Sequence, residues 1–228
     1  MIEQPPLVRL SRDFPRPSEA QVSAFAGAET GNVADALGGR AALGPDIKQI
    51  VPGATFCGVA ITAHAAPGDI VGFYAALELV RPGDVVVVSA DGYRGTAMLG
   101  DQMAEMGRRM GIAGFVTDGC VRDVAGLVRV GLPIFASGVT PDSPTCVGPA
   151  AAGLPVTLGG RAVASGDIVL GDADGVVSVP FAQIDAAIAA LAQVRIAEEG
   201  LAAAVAAGLT KPDFVRDMID GDRVAEID

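Results

Sequence analysis

The chain has 228 residues, half of them hydrophobic, and a formal net charge of -11 at pH 7. That length allows one large domain with a sizeable core, and the acidic balance argues against a nucleic-acid backbone or an anionic membrane as partner. No apolar run approaches the roughly 18 residues of a membrane span, and the opening MIEQPPLVRL lacks the regions of a signal peptide, so a cytoplasmic protein is expected.

The predicted elements begin with SEAQVSAFAGAETGNVADALGG (18–39), read as one helix with Val22, Phe25, Val33 and Leu37 inward and Gly38-Gly39 as its stop. GATFCGVAITAHAA (53–66) reads as a strand of small and β-branched residues. DIVGFYAALELVRPGD (69–84) reads as a helix closed by Pro82-Gly83. DVVVVSAD follows, and its four consecutive valines suit a strand buried on both faces.

A helix is then predicted from about Gly100 to Gly111, with Met103, Met106 and Met110 forming a core-facing stripe. IAGFVT (112–117) is a buried strand, Asp118-Gly119 a turn into CVRDVAGLVRVG, and LPIFAS (132–137) a further strand. GDIVLGDADGVVSVP (166–180) is a hairpin around Asp-Ala-Asp-Gly. From about residue 181 a long alanine-rich helix follows. No repeat or composition break interrupts 1–228, so a single domain with a mixed sheet is expected.

The side chains suited to chemistry are few. A single histidine, His64, excludes a multi-histidine metal site within one chain, and the two lysines, Lys48 and Lys211, sit in polar, Pro/Gly-flanked stretches unsuited to Schiff-base chemistry. Cys57, Cys120 and Cys146 lack metal or disulfide spacing and read as small buried hydrophobes. Oxygen ligands and arginine remain.

The stretch LGDQMAEMGRRMGIAGFVTDGCVRD (99–123) contains both. Amides at the start of its helix, at Gly100, Gln102 and Met103, lack intrahelical partners and can hold a carboxylate. Asp101 there is either part of that site or simply the helix cap. One helix and one strand separate Asp101 from Arg122-Asp123, as in a right-handed crossover that places helix start and strand end on the same sheet edge.

The spacing Asp101, residues 102–121, Arg122-Asp123 resembles that of the RraA-like proteins, whose aldolase branch acts on 4-hydroxy-4-methyl-2-oxoglutarate and 4-carboxy-4-hydroxy-2-oxoadipate. GNVADALGG, PGATFCGVAITAHAAPGD, LVRPGDVVVV, GLPIFASGVTP and GDIVLGDADGVVSVP are also similar to family segments. The resemblance implies an α/β fold, a layered α/β/β/α sandwich of the swivelling-domain type. It implies Mg²⁺ or Mn²⁺ held directly by Asp123 and through water by Asp101, with Glu198 or Glu199 approaching through water from a neighbouring subunit of a homotrimer or hexamer. Arg122 would sit against the keto oxygen of a 2-oxo acid, and Arg94 would bind a distal carboxylate.

What the resemblance implies is retro-aldol release of pyruvate, with oxaloacetate decarboxylation through the same enolate. The branch carries Arg-Asp, two residues and then another acid, where this chain has Gly126. Losing that carboxylate would favour decarboxylation, which needs no base for a hydroxyl proton. The alternative is a non-catalytic, protein-binding regulator similar to the family's ribonuclease E inhibitors.

Overall fold

The computed structural model describes residues 6–227, so Met1–Pro5 of the MIEQPPLVRL segment lie outside it. The chain divides into two compact units, 1–191 and 192–228. The first begins with β1 (Val8–Leu10), α1 (Glu19–Phe25), α2 (Thr30–Ala36), β2 (Lys48–Gln49), β3 (Phe56–Ala65), α3 (Val71–Leu77) and β4 (Val85–Ser89). It continues with α4 (Asp101–Arg109), β5 (Gly114–Thr117), β6 (Cys120–Val121), α5 (Val124–Val130), β7 (Ile134–Ala136), β8 (Gly138–Val139) and β9 (Ala150–Ala152). After these come β10 (Val156–Leu158), β11 (Arg161–Val163), β12 (Ile168–Gly171), β13 (Val176–Val179) and the start of α6 (Ile184–Ala206). The second unit holds the rest of α6 and α7 (Asp213–Ile219).

β3, β4, β5 and β7 run parallel at the centre of a nine-stranded mixed sheet. β3 is long because its free edge serves two antiparallel partners, β12 along Phe56–Val59 and β9 along Ala63–Ala65. The predicted hairpin is present as β12 and β13, and it makes the sheet mixed, as expected. The valine run of β4 is buried throughout. Val86 and Val88 enter one core with Phe73, Phe115 and Leu127, while Val85 and Val87 enter a second core with Phe135, Leu158 and Val169. Layers cover both faces of the strand, which explains why it carries no polar alternation.

Four expectations need correction. The first helix is two: α1 ends before Gly27, which turns the chain at φ +70°. An L-residue disfavours that conformation, and the flanking alanines hide the break from a propensity reading. Phe25 and Val33 are buried as expected, with Val22 and Leu37 packed partly against them. The helix predicted over 69–84 is shorter than expected, α3 closing at Leu77. Of the methionine stripe only Met103 is buried; Met106 and Met110 are exposed. Cys146 is exposed, whereas Cys120 is buried and Cys57 half-buried. Strands β1, β2 and β9–β11, and α7, carried no clear signal.

Candidate active site

The segment after β4 ends in a short ladder. Ala97 bridges Cys120 in parallel, the Met98 amide donates to the Cys120 carbonyl at 2.6 Å, and the Arg122 amide donates to the Leu99 carbonyl at 3.0 Å. On the other side of Cys120–Val121 lies β8, and the Thr140 amide donates to the Val121 carbonyl at 3.0 Å. These bonds carry the start of α4 and the Arg122-Asp123 pair to one place. The expected meeting of a helix start with a strand end occurs, but by another route: two strands, β5 and β6, separate Asp101 from Arg122, and the pair follows β6, which pairs with β8 outside the nine-stranded sheet.

Gly100 occupies the N-cap position of α4 and Asp101 is the first helical residue. The reading of Asp101 as the cap is therefore overturned, because Gly100 takes that position. The first helical hydrogen bond runs from the Ala104 amide to the Gly100 carbonyl, leaving the Gln102 and Met103 amides without a helical acceptor. Gln102 is exposed and the Met103 side chain is buried.

Gly100 also makes room. A Cβ there would lie 2.6 Å from Asp123 Oδ2 and 3.4 Å from Arg122 Nε. Asp123 occupies the N-cap position of α5 without a side-chain capping bond, in the left-handed region at φ 60° and ψ 40°. Among the described residues only Asp91 is another non-glycine with positive φ. Such a conformation costs roughly 1–2 kcal/mol and is found where surrounding structure enforces it, often at functional sites. Arg122 Nε stands 3.5 Å from Asp123 Oδ2, and Arg122 Nη1 donates to Ser143 Oγ at 2.7 Å.

Asp101 rests against Gly126 of α5. A Cβ at 126 would lie 2.3 Å from Asp101 Oδ2 and 2.6 Å from Asp101 Cβ. An acid at 126 therefore cannot be added without moving Asp101, and its absence here leaves Asp101 seated on bare backbone. Among the described residues, no three His, Cys, Asp or Glu side chains gather as a metal cage. A cation here would rest on one or two carboxylates and complete its shell from water and ligand, as Mg²⁺ does.

Arg94 joins a different group. Its guanidinium donates to the Ser137 carbonyl and lines a cavity of about 600 Å³ with Asp46, Asp91, Asp118 and Thr157. Burial pushes the Asp118 carboxyl up, against the pull of hydrogen bonds from the Ala90 and Gly92 amides. Glu198 and Glu199 are exposed on α6, in the second unit. Ser143 and the contact between Gly126 and Asp101 were missed by sequence reasoning; the Pro-flanked PDSP turn was the available signal for the former.

A family model described as Aldolase/RraA matches residues 30–178. The chain belongs to the RraA-like family. It is 36% identical over 151 residues, 66% of this chain and 72% of the relative, to a Halalkalibacterium halodurans protein carrying the provisional name 4-hydroxy-4-methyl-2-oxoglutarate aldolase. The fold is similar to an uncharacterized Pseudomonas syringae protein (TM-score 0.76, 26% identity, covering 86% of this chain and 97% of that one). It is also similar to Streptomyces coelicolor RraAS2, described as an unusual member of the RNase ES inhibitor RraA family (TM-score 0.73, 31% identity, 82% and 98% covered). These relatives agree with the α/β fold with a mixed sheet expected from sequence.

Proposed function

We propose that this protein is a divalent-metal-dependent carbon–carbon lyase that releases pyruvate from 4-hydroxy-2-oxo di- or tricarboxylic acids such as 4-hydroxy-4-methyl-2-oxoglutarate, and that it also decarboxylates oxaloacetate. The observation that carries the reading is the ladder that sets Arg122-Asp123 against Gly100-Asp101. The name of the Halalkalibacterium relative supports the same chemistry.

Asp123 and Asp101 would hold Mg²⁺ or Mn²⁺, Asp123 directly and Asp101 through water; hard oxygen donors at adjoining helix starts suit such a cation. When bound, the metal polarises the 2-oxo acid as a Lewis acid. The free amides of α4 hold the substrate carboxylate. Arg122 faces the 2-oxo oxygen, where negative charge develops as the bond between C3 and C4 breaks and its electrons pass into the enolate. Asp101 orients the water that removes the 4-hydroxyl proton. Decarboxylation of oxaloacetate reaches the same enolate by losing CO₂ and needs no such base. The protein acts in the cytoplasm as a homotrimer or hexamer, in which Glu198 or Glu199 of a neighbouring subunit would help hold the cation and Arg94 would bind a distal carboxylate. Among the described residues, no helix is long and apolar enough to cross a membrane.

A second reading, a protein-binding regulator, is favoured by Gly126 and by the likeness to RraAS2. The deciding experiment measures pyruvate release from 4-hydroxy-4-methyl-2-oxoglutarate and oxaloacetate with Mg²⁺ and with EDTA. Metal-dependent release that disappears in Arg122→Ala and Asp123→Ala supports the lyase. No release with any divalent metal would sink it and direct attention to protein partners.

A further inference from the structure

We infer that Ser143 is a positioning residue for Arg122, an inference that rests on the site reading above. Among the described residues, the hydroxyl of Ser143 is the one hydrogen-bond acceptor of the Arg122 guanidinium, 2.7 Å from Nη1. The other close group, Asp123 Oδ2, stands 3.5 Å from Nε and sits on the adjacent residue. A guanidinium with five donors on a long stem is held in one orientation only if something fixes its far end.

Ser143 can do this because its own loop is fixed on both sides. Before it, the Asp142 carbonyl accepts from the Ala97 amide at 2.9 Å, tying the loop to the strand that leads into α4. After it, Thr145 exchanges backbone bonds with Gly68 and Ile70, at 2.7 and 3.1 Å. Asp69, 1% exposed, accepts from the Thr145 hydroxyl and from the Val147 and Gly148 amides at 2.6–3.0 Å. Pro141 and Pro144 flank the serine and narrow its backbone freedom further. The hydroxyl is a preset acceptor for a cation whose own backbone amide is anchored on Leu99. Both ends of Arg122 are thus held from different segments. Because the hydroxyl accepts from Arg122, its proton remains free to point elsewhere.

The test measures oxalate, a planar mimic of the pyruvate enolate, binding to the Mg²⁺-loaded protein by calorimetry. Ser143→Ala should weaken binding about tenfold, Ser143→Thr should restore most of it, and Ser143→Ala should add nothing in an Arg122→Ala background. Equal weakening with and without Arg122 would show that Ser143 acts on its own and would overturn the inference. A second readout needs neither metal nor activity: the Arg122 side-chain Nε resonance in ¹⁵N-arginine-labelled protein, assigned by its loss in Arg122→Lys. It should shift in Ser143→Ala and return in Ser143→Thr, and an unmoved resonance overturns the inference. If Arg122→Ala binds oxalate like wild type while that resonance does shift, the positioning contact stands and the enolate-binding reading of the site fails.

Discussion

Replacing Gly126 with alanine isolates the contact between α5 and Asp101. In an ordinary helix interior the change is favourable by about 1 kcal/mol, since glycine is the poorer helix former. Here the added Cβ would lie 2.3 Å from Asp101 Oδ2, 2.7 Å from Cγ and 2.6 Å from Cβ. Rotation about χ1 can swing Oδ2 and Cγ away, but Asp101 Cβ is fixed to the first turn of α4. Reaching an ordinary contact of about 3.5 Å therefore requires α4 to retreat by about 1 Å. Overpacking of this kind costs about 1–3 kcal/mol. Set against the helix gain, the net expected loss is about 1 kcal/mol, or about 2–4 °C in Tm for a chain of this size. Gly200→Ala is the control, because Gly200 lies in a helix with nothing within 4 Å of its missing Cβ. It should hold or raise Tm. The assay is thermal unfolding of both variants beside pyruvate release, which should fall in Gly126→Ala as Asp101 is displaced. A Gly126→Ala protein as stable as Gly200→Ala, with unchanged pyruvate release, would refute the packing argument. The same Cβ is present in Gly126→Glu, so restoring the family's acid disturbs Asp101 as well as adding a carboxylate.

Two further outcomes follow from burial and charge. Burial pushes the Asp69 carboxyl up, but bonds from the Val147, Val71 and Gly148 amides and the Thr145 hydroxyl outweigh it and hold its pKa below the ordinary value. Its stabilising effect is therefore complete above the ordinary carboxylate pKa of about 4 and is lost as pH falls through the lowered one. Limited acid proteolysis in loop 140–148 should rise in that window, and an Asp69→Asn protein with the wild-type acid profile would contradict this. Burial also pushes the Cys57 thiol up to about 11, while Cys146 is exposed. Alkylation at pH 8 followed by peptide mass spectrometry should label Cys146 first, and equal labelling of Cys57 would count against the packing of β3 on α1.

Much of the fold was legible because single elements carry their own periodicity. The valines of β4 announce two covered faces, and the turn residues Asp172–Gly175 announce a hairpin. Failures came where the pattern is symmetric to rotation or depends on another element. Helical spacing groups Met103, Met106 and Met110 on one side but does not say how far the neighbouring layer extends, and only Met103 is covered. Alanines around Gly27 favour a continuous helix locally, while the core that takes both Phe25 and Val33 is reached by breaking it.

The candidate site shows the same division. Asp101 at a helix start and an adjacent Arg-Asp pair are each common alone; Asp101, Arg122 and Asp123 could be picked out because of the spacing that joins them. What seats them is recorded in residues that have almost no side chain. Gly100 lets the Asp123 carboxylate approach the cap of α4, and Gly126 lets α5 close on Asp101. Each aspartate thus lies against a glycine from the opposite helix start, and Asp123 holds a left-handed backbone to do so. A glycine read alone signals a turn or a weak helix; only the register of Leu99 on Arg122 shows that these two are contact positions. Substitution at Gly100 or Gly126 should therefore resemble loss of the aspartate it faces more than loss of a helix or a turn.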